Sequence, residues 1–245
     1  MQDLNGKKVL VFGGSSGIGK AVVMRLAEES ADIVISSNDE KADKDLTTKL
    51  VESGKSAACI TGDFTCEDTV VKVFNYAQKD GKIPDIVICS GGVGDHIMEM
   101  GNVTPEVMDK VFQTNVTGPY LVLQEAVNRL QKADKYGKIL ILGSICSHYT
   151  CKNGLSPVYA ASKAAIGSLM ESTRRQICKQ GNKIGFTLVC PGTTNTKLVL
   201  GEEGEPQQIF MEPDYVAECI IAAAKLPDEM SITDMEMISV QQDIF

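Results

Sequence analysis

Short, continuously apolar runs alternate with longer amphipathic stretches along this chain, and that alternation limits its fold more than any other feature. The runs are KKVLVF (7–12), DIVIS (32–36), SAACIT (56–61), DIVIC (85–89), KILIL (138–142), IGFTLV (184–189) and, more weakly, SITDMEM (231–237). They read as strands covered on both faces, because a half-exposed strand would alternate apolar with polar residues. Helical patterns fill the intervals at about 17–30, 40–53, 67–80, 105–133, 157–180 and 213–225. Right-handed β-α-β crossovers then build one doubly wound (Rossmann) α/β fold, a parallel seven-stranded sheet with helices on both faces. No linker, repeat or low-complexity tract interrupts the pattern, so residues 1–245 are expected to form a single domain. The least regular segment, 193–212, reads as a substrate flap or a plain surface loop.

Bulk properties narrow the partners. A net charge of −8 argues against a broad phosphate-binding surface and so against nucleic acid. A small anionic cofactor is still allowed, since backbone amides at a helix N-terminus hold one without basic residues. The eight cysteines include no C-x-x-C pair, and the only histidines are His96 and His148, so no metal site is expected. Buried free thiols in a reducing compartment are the expectation. The absence of a signal-peptide pattern or membrane-length apolar run points to the cytoplasm.

The first strand runs directly into a glycine-rich turn and a helix, VLVFGGSSGIGKAVVMRLAEE. Gly13, Gly17 and Gly19 give G-x-x-x-G-x-G, which permits a tight turn and presents amides and the positive helix end to a pyrophosphate. A lone turn of this kind is weak evidence, because glycine also serves sterics. Much later, YAASKAAIG places Tyr159 four residues ahead of Lys163, on one helix face. A phenol ordinarily titrates near 10, and a neighbouring cation lowers that value toward use in proton transfer.

Taken in order, GGSSGIG, GDFT, TNVTGPYLV, ILGS, YAASKAA and CPGTTNT resemble the motifs of the short-chain dehydrogenase/reductase family, in its compact single-domain branch. The resemblance covers nearly the whole chain. It implies an NAD(P)-dependent oxidoreductase acting on a carbonyl or secondary alcohol of a small molecule. Tyr159 would be the general acid/base, and Lys163 would lower its pKa and bind the nicotinamide ribose. Ser144 would bond the substrate oxygen, with Ser147 the alternative, and Asn115 would hold a water in a proton relay or merely brace a helix bend. The cofactor would lie along Gly13, Ser15, Ser16, Gly17, Ile18 and Gly19, then Ser37 and Asn38, Asp63 and Phe64, Ser90, Gly91 and Gly92. Pro191, Gly192, Thr194 and Thr196 would meet its nicotinamide end. Asp63 could also cap the following helix.

The chain departs from the family pattern in places. Phe12 replaces the usual structural Thr, which threatens bracing of the turn. CSGG (89–92) stands where N-N-A-G is usual. Ser144 lies fifteen residues before Tyr159, so the intervening loop is lengthened. At the end of the second strand Ser37 replaces the acid usual in NAD binders, which favours NADP, although Asn38 stands where NADP binders have arginine. Lys41 could reach the 2′-phosphate or be a solvated helix-start lysine. The substrate pocket is expected from residues 93–101, 145–155 and 193–212, with His96 and His148 as possible contacts or ordinary loop surface. The family also implies a homodimer or homotetramer. A different class of function, a non-catalytic dinucleotide-binding regulator on the same fold, is the competing reading.

Overall fold

The structure, a computed structural model, describes residues 1–95, 100–149, 157–178, 181, 183–201 and 204–241. Seven strands form one parallel sheet: β1 (Lys8–Phe12), β2 (Asp32–Ser36), β3 (Ala57–Cys59), β4 (Ile86–Cys89), β5 (Gly137–Leu142), β6 (Ile184–Pro191) and β7 (Asp234–Met237). Their spatial order is β3-β2-β1-β4-β5-β6-β7. The register sets Val11 beside Ile35 on one side and Ile88 on the other.

The continuous apolarity of β1 has a direct cause. Val9 and Val11 point into one core, while Leu10 and Phe12 point into the other, so every residue of the strand is buried. Against the first face pack α1 (Gly17–Glu28), α2 (Glu40–Glu52) and α8 (Pro213–Ala224), through Val22, Leu26, Leu46 and Ile220 among others. Against the second pack α3 (Glu67–Ala77), α5 (Gly118–Lys132) and α6 (Pro157–Cys178), through Phe74, Leu123 and Ile166. A short α4 (Pro105–Phe112) precedes α5, and α7 (Lys197–Leu200) follows β6. The chain leaves β1 toward β3 and returns to the far side of β1 as β4. The crevice at the carboxyl ends of β1 and β4 is therefore the ligand position of such a sheet.

The stretch 105–133 is not one helix. It is broken by a π-turn at Gln113–Thr117, between α4 and α5. Pro119 explains the break: its nitrogen has no hydrogen for the carbonyl of Asn115, and its ring crowds that carbonyl. The ladder widens to i→i+5 there, with the Gly118 N–H donating to Gln113 O. The segment 193–212 also carries more structure than its sequence suggests. It contains α7, and Thr194 bridges Met211. Asn195 closes the loop's base through bonds to Gln207 and Glu212. The expectation of buried thiols holds for Cys89 and Cys190, whereas the free thiols of Cys66 and Cys178 are exposed. Both of those lie at helix ends, outside the packed faces. Among the described residues no helix is long and apolar enough to cross a membrane.

Candidate functional site

The glycine turn is built by contacts that leave no room for side chains. Gly13 has φ +74°, and a Cβ on it would lie 2.5 Å from the Gly91 amide nitrogen. A Cβ on Gly19 would lie 2.0 Å from the Gly13 carbonyl oxygen and 2.3 Å from Ser90 Oγ. Turn, helix start and the end of β4 thus touch backbone to backbone at the carboxyl end of the sheet. Ser16, at the N-cap of α1, makes no side-chain cap, and the first turn has no acid. The N–H groups there are left for an anion, as a pyrophosphate would need. On these observations the residues fit a dinucleotide.

The loss of Thr at position 12 does not leave the turn unbraced. Ser90 Oγ lies 3.1 Å from both the Phe12 and Gly13 carbonyl oxygens and ties the turn to β4. The Phe12 ring goes into the core, its centroid 6.0 Å from that of Phe74. The Ser90 hydroxyl therefore braces the turn. Phe64 is likewise structural in its contacts: its ring fills the space left by Gly91 and Gly118, where a Cβ would come within 2.6 and 2.4 Å of it.

Lys163 and Tyr159 lie together in a dry place at the carboxyl ends of β4, β5 and β6. Lys163 is 4% exposed and Tyr159 5%. The Lys163 Nζ donates to Leu142 O at 3.0 Å and lies 5.7 Å from the centroid of the Tyr159 ring. Burial pulls the lysine down to about 8, opposed in smaller measure by the thiols of Cys89, Cys190 and Cys146. A lysine ordinarily titrates at 10.5. Between pH 8 and 10.5 the unfolded chain holds a proton that the folded one has released, so stability rises with pH across that window. In the cofactor-free protein, wild-type stability relative to Lys163→Met is expected to rise by about 2–3 kcal/mol from pH 7 to pH 10. Urea unfolding of both proteins at the two pH values measures this, and an unchanged difference would contradict a buried titrating lysine.

Asn115 sits in the π-turn and is fully buried. Its Oδ1 accepts from Val93 N at 2.9 Å, and its Nδ2 donates to Val93 O at 2.9 Å and Ser162 Oγ at 3.1 Å. Ser162 Oγ in turn donates to Tyr159 O at 2.7 Å. The side chain therefore braces the bend and links it to the helix of Tyr159. A Cβ on Gly92 would lie 3.3 Å from Asn115 Oδ1 and 3.4 Å from Lys163 Nζ, so all three groups converge.

Ser144 lies two residues beyond β5, 6% exposed, and its Oγ accepts from Cys146 N at 3.1 Å. Its own N–H donates to Ser147 Oγ at 3.2 Å. The Ser147 hydroxyl faces Gly143 and Cys190, where it holds the turn that carries Ser144. Tyr159 packs on Ile145 and Cys146 of that same turn. Residues 150–156 of the lengthened loop, like His96, lie outside the described residues.

His148 does not sit as free loop surface. Its Nε2 is 2.9 Å from Asp234 Oδ2, 3.7 Å from Glu236 Oε1 and 3.5 Å from Cys190 Sγ, fastening the turn after β5 to β7. Thr196 lies across the turn, its Cγ2 3.3 Å from where a Gly17 Cβ would be, and the Thr194 Oγ1 donates to Gly192 O. Gly192 N donates to Met237 O, which anchors the segment after Pro191 to β7. Asp63 does not cap α3: that position is Cys66, and the Asp63 Oδ1 accepts from Thr65 N instead. Ile18 packs partly against the first core.

At the end of β2 the structure shows a residue that the sequence reading passed over. Asp43, in α2, is fully buried beneath Ser37. Ser37 Oγ donates to its Oδ1 at 2.7 Å, and Ser37 N and Thr61 Oγ1 donate to its Oδ2. Asn38 and Lys41 are exposed.

A family model described as short chain dehydrogenase matches residues 7–205. The chain belongs to that family. Its members are oxidoreductases that use NAD(P), and the two curated relatives that follow are named dehydrogenases. Farnesol dehydrogenase of Aedes aegypti is 25% identical over 231 residues, covering 94% of each chain. L-Rhamnose-1-dehydrogenase of Scheffersomyces stipitis is 29% identical over 210 residues, covering 84% of this chain and 79% of its own. Among solved structures, the alcohol dehydrogenase of the archaeon Thermococcus sibiricus, complexed with 5-hydroxy-NADP, has a TM-score of 0.87 at 19% identity. The match covers 98% of this chain and 99% of that one, and it speaks to the fold.

Proposed function

We propose that this short-chain dehydrogenase moves a hydride between a nicotinamide dinucleotide and the carbonyl or secondary-alcohol carbon of a small molecule. The observation that carries the reading is the buried Lys163 ammonium beside the Tyr159 ring, held by the Leu142 carbonyl at the end of the central strands. The cofactor supplies or accepts the hydride when bound. The chain's own residues manage the proton and the geometry.

In the direction of reduction, Tyr159 gives its phenol proton to the carbonyl oxygen as that oxygen becomes an alkoxide. Lys163 stabilises the phenolate left behind. Burial opposes the charge on each group alone, but a phenolate and an ammonium side by side favour one another's ionised form. Ser144 bonds the substrate oxygen and orients it. Asn115 acts as a positioning residue through its side chain. Its carbonyl, which the Pro119 nitrogen cannot reach with a hydrogen, is the group offered to a relay water. Gly13, Ser15, Ser16, Gly17, Ile18 and Gly19 receive the pyrophosphate, and Asp63, Gly91 and Gly92 the adenosine. Pro191, Gly192, Thr194 and Thr196 receive the nicotinamide end.

The test is cofactor consumption on a panel of ketones, aldehydes and quinones, beside direct cofactor binding. Binding without turnover on any member would favour a non-catalytic role. Assembly as a homodimer or homotetramer through α4, α5 and α6 is expected to give a light-scattering mass of two or four chains. A mass of one 26.4 kDa chain would refute it.

A further inference from the structure

We infer that Asp43 sets the cofactor preference of this chain and sets it toward NAD, against the preference that Ser37 alone suggests. This inference rests on the dinucleotide reading above. Strand-end position 37 lacks an acid, yet a carboxylate lies directly behind it. Asp43 is 0% exposed and Ser37 6%, so the charge sits within the wall of the crevice, where water screens it little.

The hydrogen bonds fix the direction of every proton in this wall. An ionised carboxylate only accepts, so the hydroxyl of Ser37 must donate to Asp43 Oδ1 at 2.7 Å. Ser37 Oγ then has only lone pairs left, and it accepts from Ser15 Oγ at 2.8 Å and from Asp39 N at 3.1 Å. The Ser15 proton is thereby turned toward Ser37, away from a ligand. Ser15 belongs to the glycine turn itself, 9% exposed, so the chain of hydroxyls reaches from the buried acid to the cofactor cradle.

With the Ser37 proton and both of its lone pairs taken, the unoccupied oxygen lone pairs of this wall are those of Ser15 Oγ, backed through Ser37 by the buried carboxylate. A ribose 2′-hydroxyl can donate to such a wall. A 2′-phosphate cannot: it carries only acceptor oxygens and near neutrality about −1.5 to −2 charges. Asn38 supplies no compensating cation, the ammonium of Lys41 is exposed and screened by water, and Asp39 takes up its own carboxylate in capping α2 at Ala42 N. Asp43 thus does from the helix behind what a strand-end acid would do directly.

The test is equilibrium titration of the purified full chain with NADH and with NADPH. The chain has no tryptophan, so the cofactor's own nicotinamide fluorescence is followed, with calorimetry as a second readout. Wild type is expected to bind NADH at least about tenfold more tightly than NADPH. Asp43→Asn keeps the shape and removes the charge, and it should narrow that ratio by roughly tenfold, mainly through tighter NADPH binding. The wild-type ratio needs no variant, so the inference stands or falls even if Asp43→Asn does not fold. Equal or tighter NADPH binding by wild type, or a folded Asp43→Asn with an unchanged ratio, would overturn it. Failure to bind either cofactor would instead sink the dinucleotide reading.

Discussion

Tyr159→Phe is expected to lower turnover on any accepted carbonyl by about 10²- to 10⁴-fold, the range that a positioned general acid contributes. The ring itself should be tolerated. Tyr159 is 5% exposed and packs with Ile145 and Cys146, contacts that phenylalanine keeps. The melting temperature is therefore expected to change by only a few degrees and cofactor affinity by less than about threefold. That split is what separates chemistry from packing. Turnover close to wild type in a folded variant would remove Tyr159 from the proton path. A variant that loses turnover, cofactor binding and fold together would make it a packing residue.

Gly19→Ala carries the second large effect, and it acts on the cradle. The new methyl would lie 2.0 Å from a backbone oxygen, that of Gly13, and 2.3 Å from Ser90 Oγ. Neither can retreat independently. Gly13 is held in a left-handed conformation 2.5 Å, Cβ position to nitrogen, from Gly91, and Ser90 Oγ spans the Phe12 and Gly13 carbonyls. The turn has to open, at a cost of about 3 kcal/mol, which lowers the melting temperature by roughly 6–12 °C in a chain of this size. Dinucleotide binding should be lost with it. Gly101→Ala is the control, since nothing lies within 4 Å of its Cβ position, and it should stay within about 0.5 kcal/mol of wild type. Equal melting temperatures for the two variants would contradict the close approach of turn and β4.

The sheet was readable because both of its faces are covered: strands such as β1 divide their side chains between two cores and so stay apolar at every position. The site was readable where backbone geometry demands particular residues, as at Gly13 and Gly19, and where Tyr159 and Lys163 share a helix face. What the pattern hid was tertiary. The π-turn at Gln113–Thr117 was masked by unbroken amphipathicity, although Pro119 marks it. Ser144 and Ser147 could not be separated, because only the folded turn shows which hydroxyl braces the other. The roles of Phe12 and Ser90 are coupled across two strands 78 positions apart, a compensation invisible to local reading. Asp43 was passed over for the same reason, yet it left a trace. With Leu46 and Leu50 it lies on one face of α2, so an acid occupies the apolar stripe of the helix.

The central claim is that the chain directs hydride between nicotinamide and a carbonyl carbon, with Tyr159 moving the proton. The most direct measurement runs the carbonyl panel with reduced cofactor deuterated at the transferable C4 position and follows product mass. The account predicts that at least one carbonyl is reduced by wild type with one deuterium on its carbinol carbon. It also predicts that Tyr159→Phe, still binding cofactor, yields almost none. Cofactor loss with no deuterium in the product, or firm cofactor binding with no carbonyl reduced, would contradict it.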